Sequence, residues 1–307
     1  MRLRAFSILV LVFVLPFLAV GARADGVLGP DLSTFAVLGG TPVVSFAAGN
    51  DTITGNVGVF PAASITIASP LTFTLTGGTQ HAGDATAGSA QAGLTNALTV
   101  LGGLASVGTS QSNLNAVSLN PGVYDIGAAN LTGTLTLTNT LNVTHPSWVF
   151  IGSSLTSSGV VAMAPGLFDA ANAGVYWDIG NSATLSGVML GNVLASTSIT
   201  TTGVTDTCGR LLASTGDVTF AGNNTISITC SASTSGSTSG LSGGLTVTPN
   251  GGGTVVVSGG GVPTTSVTGN GNGGGTTSVP EPATFALLLA GLLPLGLLTL
   301  RKLQASC

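Results

Sequence analysis

The chain has 307 residues, of which only 5% are charged and 5% aromatic, with 47 glycines and a formal net charge of -4. Between residues 25 and 278 it carries nine aspartates, no glutamate, no lysine and a single arginine, Arg210. Phosphate binding needs a basic stripe that this body lacks, so nucleic acid is excluded as a partner, and Thr, Ser and Asn must supply the wetted surface.

Residues 1 to 24 read as a secretory signal peptide. Arg2 and Arg4 precede an apolar run from Ile8 to Val20, and Ala22-Arg23-Ala24 follows as an A-x-A cleavage site. From Asp31 onward the dominant signal is alternation of an apolar residue with Thr or Ser, as in Leu131-Thr132-Gly133-Thr134-Leu135-Thr136-Leu137-Thr138 and Ser198-Ile199-Thr200. A period of two with β-branched partners predicts strands buried on one side. Such stretches recur at Asp51 to Val59, Leu131 to Val143, Ser147 to Met163, Val175 to Leu185, Val188 to Thr200 and Asp217 to Cys230. Their spacing, about 20 residues without strict repetition, favours coils of an irregular β-solenoid over a sandwich.

One segment has the helical period. Asp84 to Val107 carries Leu94, Ala97, Leu98, Leu101, Leu104 and Ala105 at three- and four-residue intervals, with Asp84 or Thr86 available as cap and Gly108 as stop. Its internal glycines weaken it, so it should be stable only when leaning on the strands.

Of the three cysteines, Cys307 lies beyond the last apolar segment, leaving Cys208 and Cys230 as an exported pair. Two thiols suit a disulfide better than a metal site, and a separation of 22 places them on adjacent coils of a solenoid with that repeat, although a sandwich could pair them too. Arg210 is expected to pair with Asp206 or Asp217 near this bridge.

Residues 231 to 278 are uncharged and mostly Gly, Ser and Thr, and read as a spacer of roughly 40 Å in coil form. Leu245-Thr246-Val247-Thr248 and Val255-Val256-Val257 within it are alternatively read as strands added to the body. At the end, Val279-Pro280-Glu281-Pro282 precedes an apolar run from Ala283 to Leu300 and the basic pair Arg301-Lys302. The run matches a bilayer core in length. The tripartite pattern resembles the PEP-CTERM sorting signal, which implies recognition and removal by an exosortase and release to the cell surface or extracellular matrix. An ordinary membrane anchor is the alternative.

Little in the chain suggests catalysis. His81 and His145 lack neighbouring ligands at metal spacing and read as structural or solvated. Gly240-Leu241-Ser242-Gly243-Gly244 matches a nucleophile elbow but no histidine follows it. Gly269-Asn270-Gly271-Asn272-Gly273-Gly274 lacks the strand-to-helix setting of a dinucleotide site. The aspartates are scattered, so neither an enzyme, a cofactor nor a metal is expected.

From Asp31 to Cys230 the chain resembles the microbial ice-binding protein family of the discontinuous β-solenoid type. The stretches that carry the resemblance occur in family order: Phe35-Ala36-Val37-Leu38, TITGNVGVFP, GGTQHAGDATAGSAQAGLTNAL, LNPGVYDIGAANLTGTLTL, WVFIGSSLT, VYWDIGNSATL, GNVLASTSIT and GRLLASTGDVTFAGNNTI. The resemblance implies a mostly β protein: an irregular right-handed β-solenoid of triangular cross-section with one long α-helix packed alongside. It further implies an ice-binding site on a flat β face, with the ice/water lattice as partner. Thr202-Gly203-Val204-Thr205 matches the family's Thr-Gly/Ala-x-Thr/Asn element, whereas Ser158-Gly159-Val160-Val161 lacks its final Thr. Candidate ice-face residues are therefore Thr202 and Thr205, with Thr200 on the same coil, Thr184 and Ser186 on the coil before, and Asn223 and Thr225 on the coil after. The alternative function is a structural or adhesive matrix protein binding extracellular polysaccharide, which would display stacking aromatics drawn from Trp148, Trp177, Tyr124 and Tyr176.

Overall fold

The computed structural model describes residues 25–40, 45–46, 49–68, 73–106, 110–165, 172–230, 240–250 and 254–268. The expected signal peptide, the sorting motif and the apolar run 283–300 lie outside these residues. Among the described residues no helix is long and apolar enough to cross a membrane.

Most strands belong to one extended, parallel-paired set in which the chain repeatedly visits three columns. In the first column, 128–131 pairs with 154–157, then 183–185, 199–202, Val218–Ala221, Ser45–Phe46 and Thr66–Ile67. In the second, Val117–Leu119 is followed by Thr134–Leu137, Val160–Met163, the segment around Val188, 204–206, Thr225–Ser227, Asp51–Thr54 and Phe73–Thr76. The third runs from 122–125 through 148–151, Gly174–Ile179, 192–195 and 211–212 to Phe35–Gly39, Asn56–Val59 and Gln80–Ala82. Alternation explains the burial. Leu155, Ala183, Ile199 and Val218 point inward in the first column and Leu135, Val161, Met189 and Val204 in the second, all within one apolar cluster.

Spatial order departs from chain order. Residues 35–82 stack on the coil formed by 211–227, and the chain then returns to the opposite end of the stack at 113–119, where Asn113 bridges Asn130. The junction is stitched by Asp51, which is buried and accepts from Asn224 N at 3.0 Å and Asn224 Nδ2 at 2.7 Å. Asn224 Oδ1 in turn accepts from Gly203 N at 3.1 Å and Val204 N at 2.9 Å. Gly203 and Gly222 turn the chain from the first column into the second with φ of 89° and 80°, a left-handed backbone that L side chains rarely adopt.

The helix Ala85–Gly102 makes the return. Asp84 caps it, its Oδ1 accepting from Ala87 N at 2.8 Å, while Oδ2 pairs with His81 Nδ1 at 2.8 Å. His81 is thus a structural link, its Nε2 lying 2.8 Å from Thr79 Oγ1. The helix buries Ala87, Ala90, Leu94, Ala97 and Leu101 against the outer side of the third column, where Phe35, Leu38, Val149, Tyr176, Leu194 and Leu212 complete a second apolar cluster. It stops five residues before the expected end at Val107: Gly102 and Gly103 end it, Leu104 tucks back into the cluster, and Ala105 is exposed.

Part of the expected spacer is folded. Leu245–Pro249, Thr254–Gly259 and Val262–Thr268 form an antiparallel sheet that also takes up Asp25–Gly26. Val255, Val257, Val262 and Val267 join the helix cluster, so period-two alternation over a sticky helix flank overrides the Gly-rich composition. Residues 231–239 and 269–278 of that spacer lie outside the described residues.

Candidate functional site

Outward positions of the first column form a continuous polar ladder. Asn130 pairs in register with Thr156, Thr156 with Thr184, Thr184 with Thr200 and Thr200 with Thr219, and the backbone register continues from Thr219 through Ser45 to Thr66. Rungs of parallel strands repeat at about 4.8 Å. Beside this ladder, two residues earlier on each strand, stand Ser154, Ser182, Ser198 and Asp217. Ser182 and Ser198 share a hydrogen bond at 3.0 Å, and Thr219 Oγ1 donates to Asp217 Oδ2 at 2.8 Å.

The second column carries a different array. Thr205, Thr225, Thr52 and Thr74 are in register on successive rungs. Two residues further along each strand stand Thr207, Ser227, Thr54 and Thr76, the last three again in register. Towards the other end of the stack this array gives way to Val160 and Val188, exposed at 38% and 41%.

The seven residues read from the sequence therefore do not form one patch. Thr184 and Thr200 are partners on the first ladder, while Thr205 and Thr225 are partners on the second. Thr202, Ser186 and Asn223 sit at the corner between them. Ser186 Oγ is committed to Ser157 O at 3.1 Å, and Asn223 Oδ1 accepts from Asn50 N at 2.9 Å, so both serve the corner's own structure. Register, not alternation alone, reveals Thr156, Thr219, Thr52 and Thr74; the segments IGSSLT, DVTF, DTIT and FTLT carry the right period, but nothing local says which rungs they join.

The main buried polar cluster lies where the chain passes from the second column into the third. Cys208 and Cys230 form a disulfide with Cα atoms 4.5 Å apart. Arg210, expected to pair with Asp206 or Asp217, interacts electrostatically with Asp206 and directs its guanidinium to oxygens of the surrounding frame. Nε and Nη2 donate to Ser33 O at 3.2 and 2.6 Å, and Nη1 donates to Asn192 Oδ1 at 2.7 Å and Gly240 O at 3.2 Å. Burial lowers its pKa to about 10, so it stays charged at neutral pH. Asp206 feels that charge but keeps Oδ2 without a hydrogen-bond partner, and burial raises its pKa to about 7. Asp217 faces the solvated ladder, too far along the chain turn to join this cluster.

Asp178, at the helix side of the third column, is also raised to about 7 by burial. A carboxyl whose folded pKa exceeds its unfolded value favours the native state while protonated, so this contribution is full below about pH 4 and is lost as pH rises through 7. Thermal melting should accordingly drop between pH 5 and pH 8, and Asp178→Asn should flatten that drop without abolishing it, because Asp206 titrates in the same sense. An unchanged slope in the variant would contradict the assignment.

Among the described residues no group of three or more His, Cys, Asp or Glu could hold a metal ion. Trp148, Tyr176 and Trp177 are fully buried; Trp148 Nε1 donates to Leu119 O at 2.9 Å, Trp177 Nε1 to Leu190 O at 3.0 Å, and Tyr176 OH to Ser242 O at 2.6 Å. Tyr124 is half-buried, stacking on Phe150. None of these rings forms an outward platform for a sugar.

Charge-poor parallel strands therefore carry hydroxyls in register on two columns. Residues 37–227 match the family model described as ice-binding-like, and the chain belongs to that family. Similar solved structures are ice-binding proteins from the Antarctic ascomycete Antarctomyces psychrotrophicus (28% identity, TM-score 0.53, 66% of this chain and 97% of that one) and from an Antarctic biological consortium (29%, 0.55, 66% and 90%). A third, from an Antarctic Flavobacteriaceae bacterium, has 28% identity and TM-score 0.54, with 66% of this chain covering 47% of that one. No curated protein sequence matches the chain.

Proposed function

We propose that this is an exported ice-binding protein, without catalytic activity, that adsorbs to ice through the first face of a discontinuous β-solenoid and thereby slows recrystallisation. The observation that carries the reading is the ladder from Asn130 through Thr156, Thr184 and Thr200 to Thr219, in which no outward position is apolar. β-branched threonines are stiff at χ1, so methyl and hydroxyl groups on such a ladder keep fixed positions. A flat face of that kind can order water in a pattern that merges with an ice lattice, whereas charges would bind water in competing geometry. Family membership and the Antarctic ice-binding structures at 28–29% identity support the same reading.

Residues 1–24 would direct export, and Val279-Pro280-Glu281-Pro282 with the run 283–300 would bring the chain to an exosortase, transiently at the membrane and then at the cell surface or in the matrix. The polysaccharide-binding alternative is weakened by the burial of both tryptophans and Tyr176.

Ice recrystallisation inhibition by the purified protein tests the function. Micromolar parent should inhibit, and Thr184→Tyr with Thr200→Tyr, whose rings would stand off the lattice by several ångströms, should raise the concentration needed by at least about tenfold while leaving the melting temperature within a few degrees. A folded parent without inhibition would refute the function.

A further inference from the structure

We infer that the second column is a separate ice-binding surface, so that one molecule engages two ice surfaces of different orientation. The inference rests on the ice-binding reading above but on different residues. Two columns of hydroxyls cover four successive rungs there, with Thr205, Thr225, Thr52 and Thr74 in unbroken register. Rung spacing of about 4.8 Å and strand repeat of about 6.8 Å make this a two-dimensional grid, not a single file.

Three observations distinguish this grid from threonines that merely suit a solvated strand. First, the hydroxyls are uncommitted. On the first face Ser182, Ser198 and Thr219 spend hydrogen bonds on neighbours, whereas on the second only Ser227 does, donating to Thr229 O at 2.9 Å. Second, no charged side chain points outward within the grid; its acidic residues, Asp206 and Asp51, are turned inward and buried. Third, the floor is rigid. Ile53, Val204 and Ile226 fill it in the main core, in the same apolar cluster as the Cys208–Cys230 bridge.

The two faces are not extensions of one plane. The chain passes between them through the positive-φ turns at Gly203 and Gly222, and the arrays are staggered along the stack. Hydroxyls line the first face at the rungs where the second shows Val160 and Val188, and the threonine grid begins at the coil that carries Thr200. A rigid body with two such faces can sit where two crystals of different orientation meet, and simultaneous engagement raises its retention there above that of either face alone.

Staining of a single-crystal ice hemisphere by the fluorescently labelled protein separates the faces. The parent should label two sets of planes. Thr52→Tyr with Thr225→Tyr should erase one set and keep the other, and Thr184→Tyr with Thr200→Tyr should do the converse. The conservative pair Thr52→Val, Thr225→Val, which preserves shape, should weaken the same set as its tyrosine counterpart and covers the case in which tyrosines disturb folding. If both second-face variants, folded by circular dichroism, reproduce the parent's pattern, the second surface is overturned while ice binding by the first stands. If the parent labels no plane, both proposals are overturned.

Discussion

Arg210→Met is expected to lower the stability of the protein by about 3–5 kcal/mol, the usual consequence of removing one partner from a buried charge network. The side chain is 1% exposed and holds together three parts of the chain that are remote in sequence: Ser33 O near the start, Asn192 Oδ1 in the middle and Gly240 O beyond the last coil. Methionine would fill much of the volume but would leave those oxygens without their donor, and each buried orphan costs about 1–3 kcal/mol. Asp206 would lose its nearby positive charge and be pushed further above its already raised pKa. Denaturant titration of parent and variant measures the difference directly, and a loss below about 1 kcal/mol would show that the network is dispensable.

The double replacement Cys208→Ser, Cys230→Ser should cost about 3 kcal/mol, the chain-entropy value for a loop of this size. For a folded region of this length that corresponds to about 6–12 °C in melting temperature. The bridge ties the strand Ile199–Ala213 to the coil that follows it, and both sulfurs are buried in the main core at 1% exposure. Because the bond is inaccessible, the folded parent should resist mild thiol reductant that reduces it rapidly once denatured. A variant that melts with the parent would mean that packing alone holds the last coil in place.

Local pattern and non-local order were unequally legible. Alternation of Thr with Val, Ile or Leu marks strands because burial on one side imposes a period of two, and the stripe Leu94, Ala97, Leu101 marks the helix because a single flank is covered. Composition misled at 245–268, where Gly, Ser and Thr outnumber the valines that fasten the small sheet to the helix. Which strands neighbour one another was beyond local signals: nothing in Phe35–Gly39 says that it lies on Leu211 and Leu212 rather than on a strand close by in the chain. For the same reason alternation found Thr184 and Thr205 as outward residues but could not assign them to different faces, since the corner glycine between the columns resets direction. The structural role of Arg210 and its electrostatic link to Asp206 were legible, but its main-chain acceptors, Ser33 O and Gly240 O, leave no trace in a sequence.

The placement of residues 35–82 on the coil 211–227 has a consequence for biogenesis. During synthesis the N-terminal strands emerge first, yet the platform that pairs with their backbones arrives about 170 residues later, as the separation of Thr52 from its partner Thr225 records. Those strands must wait with unsatisfied amides and carbonyls, and long-range pairing of this kind is slow and exposes sticky edges. Maturation is therefore a closing event rather than a vectorial one: the chain can lock only after the segment carrying Cys230 has been made and has bonded to Cys208. A nascent fragment ending before Asp217 would be all template and no seat, its N-terminal strands left with an open edge.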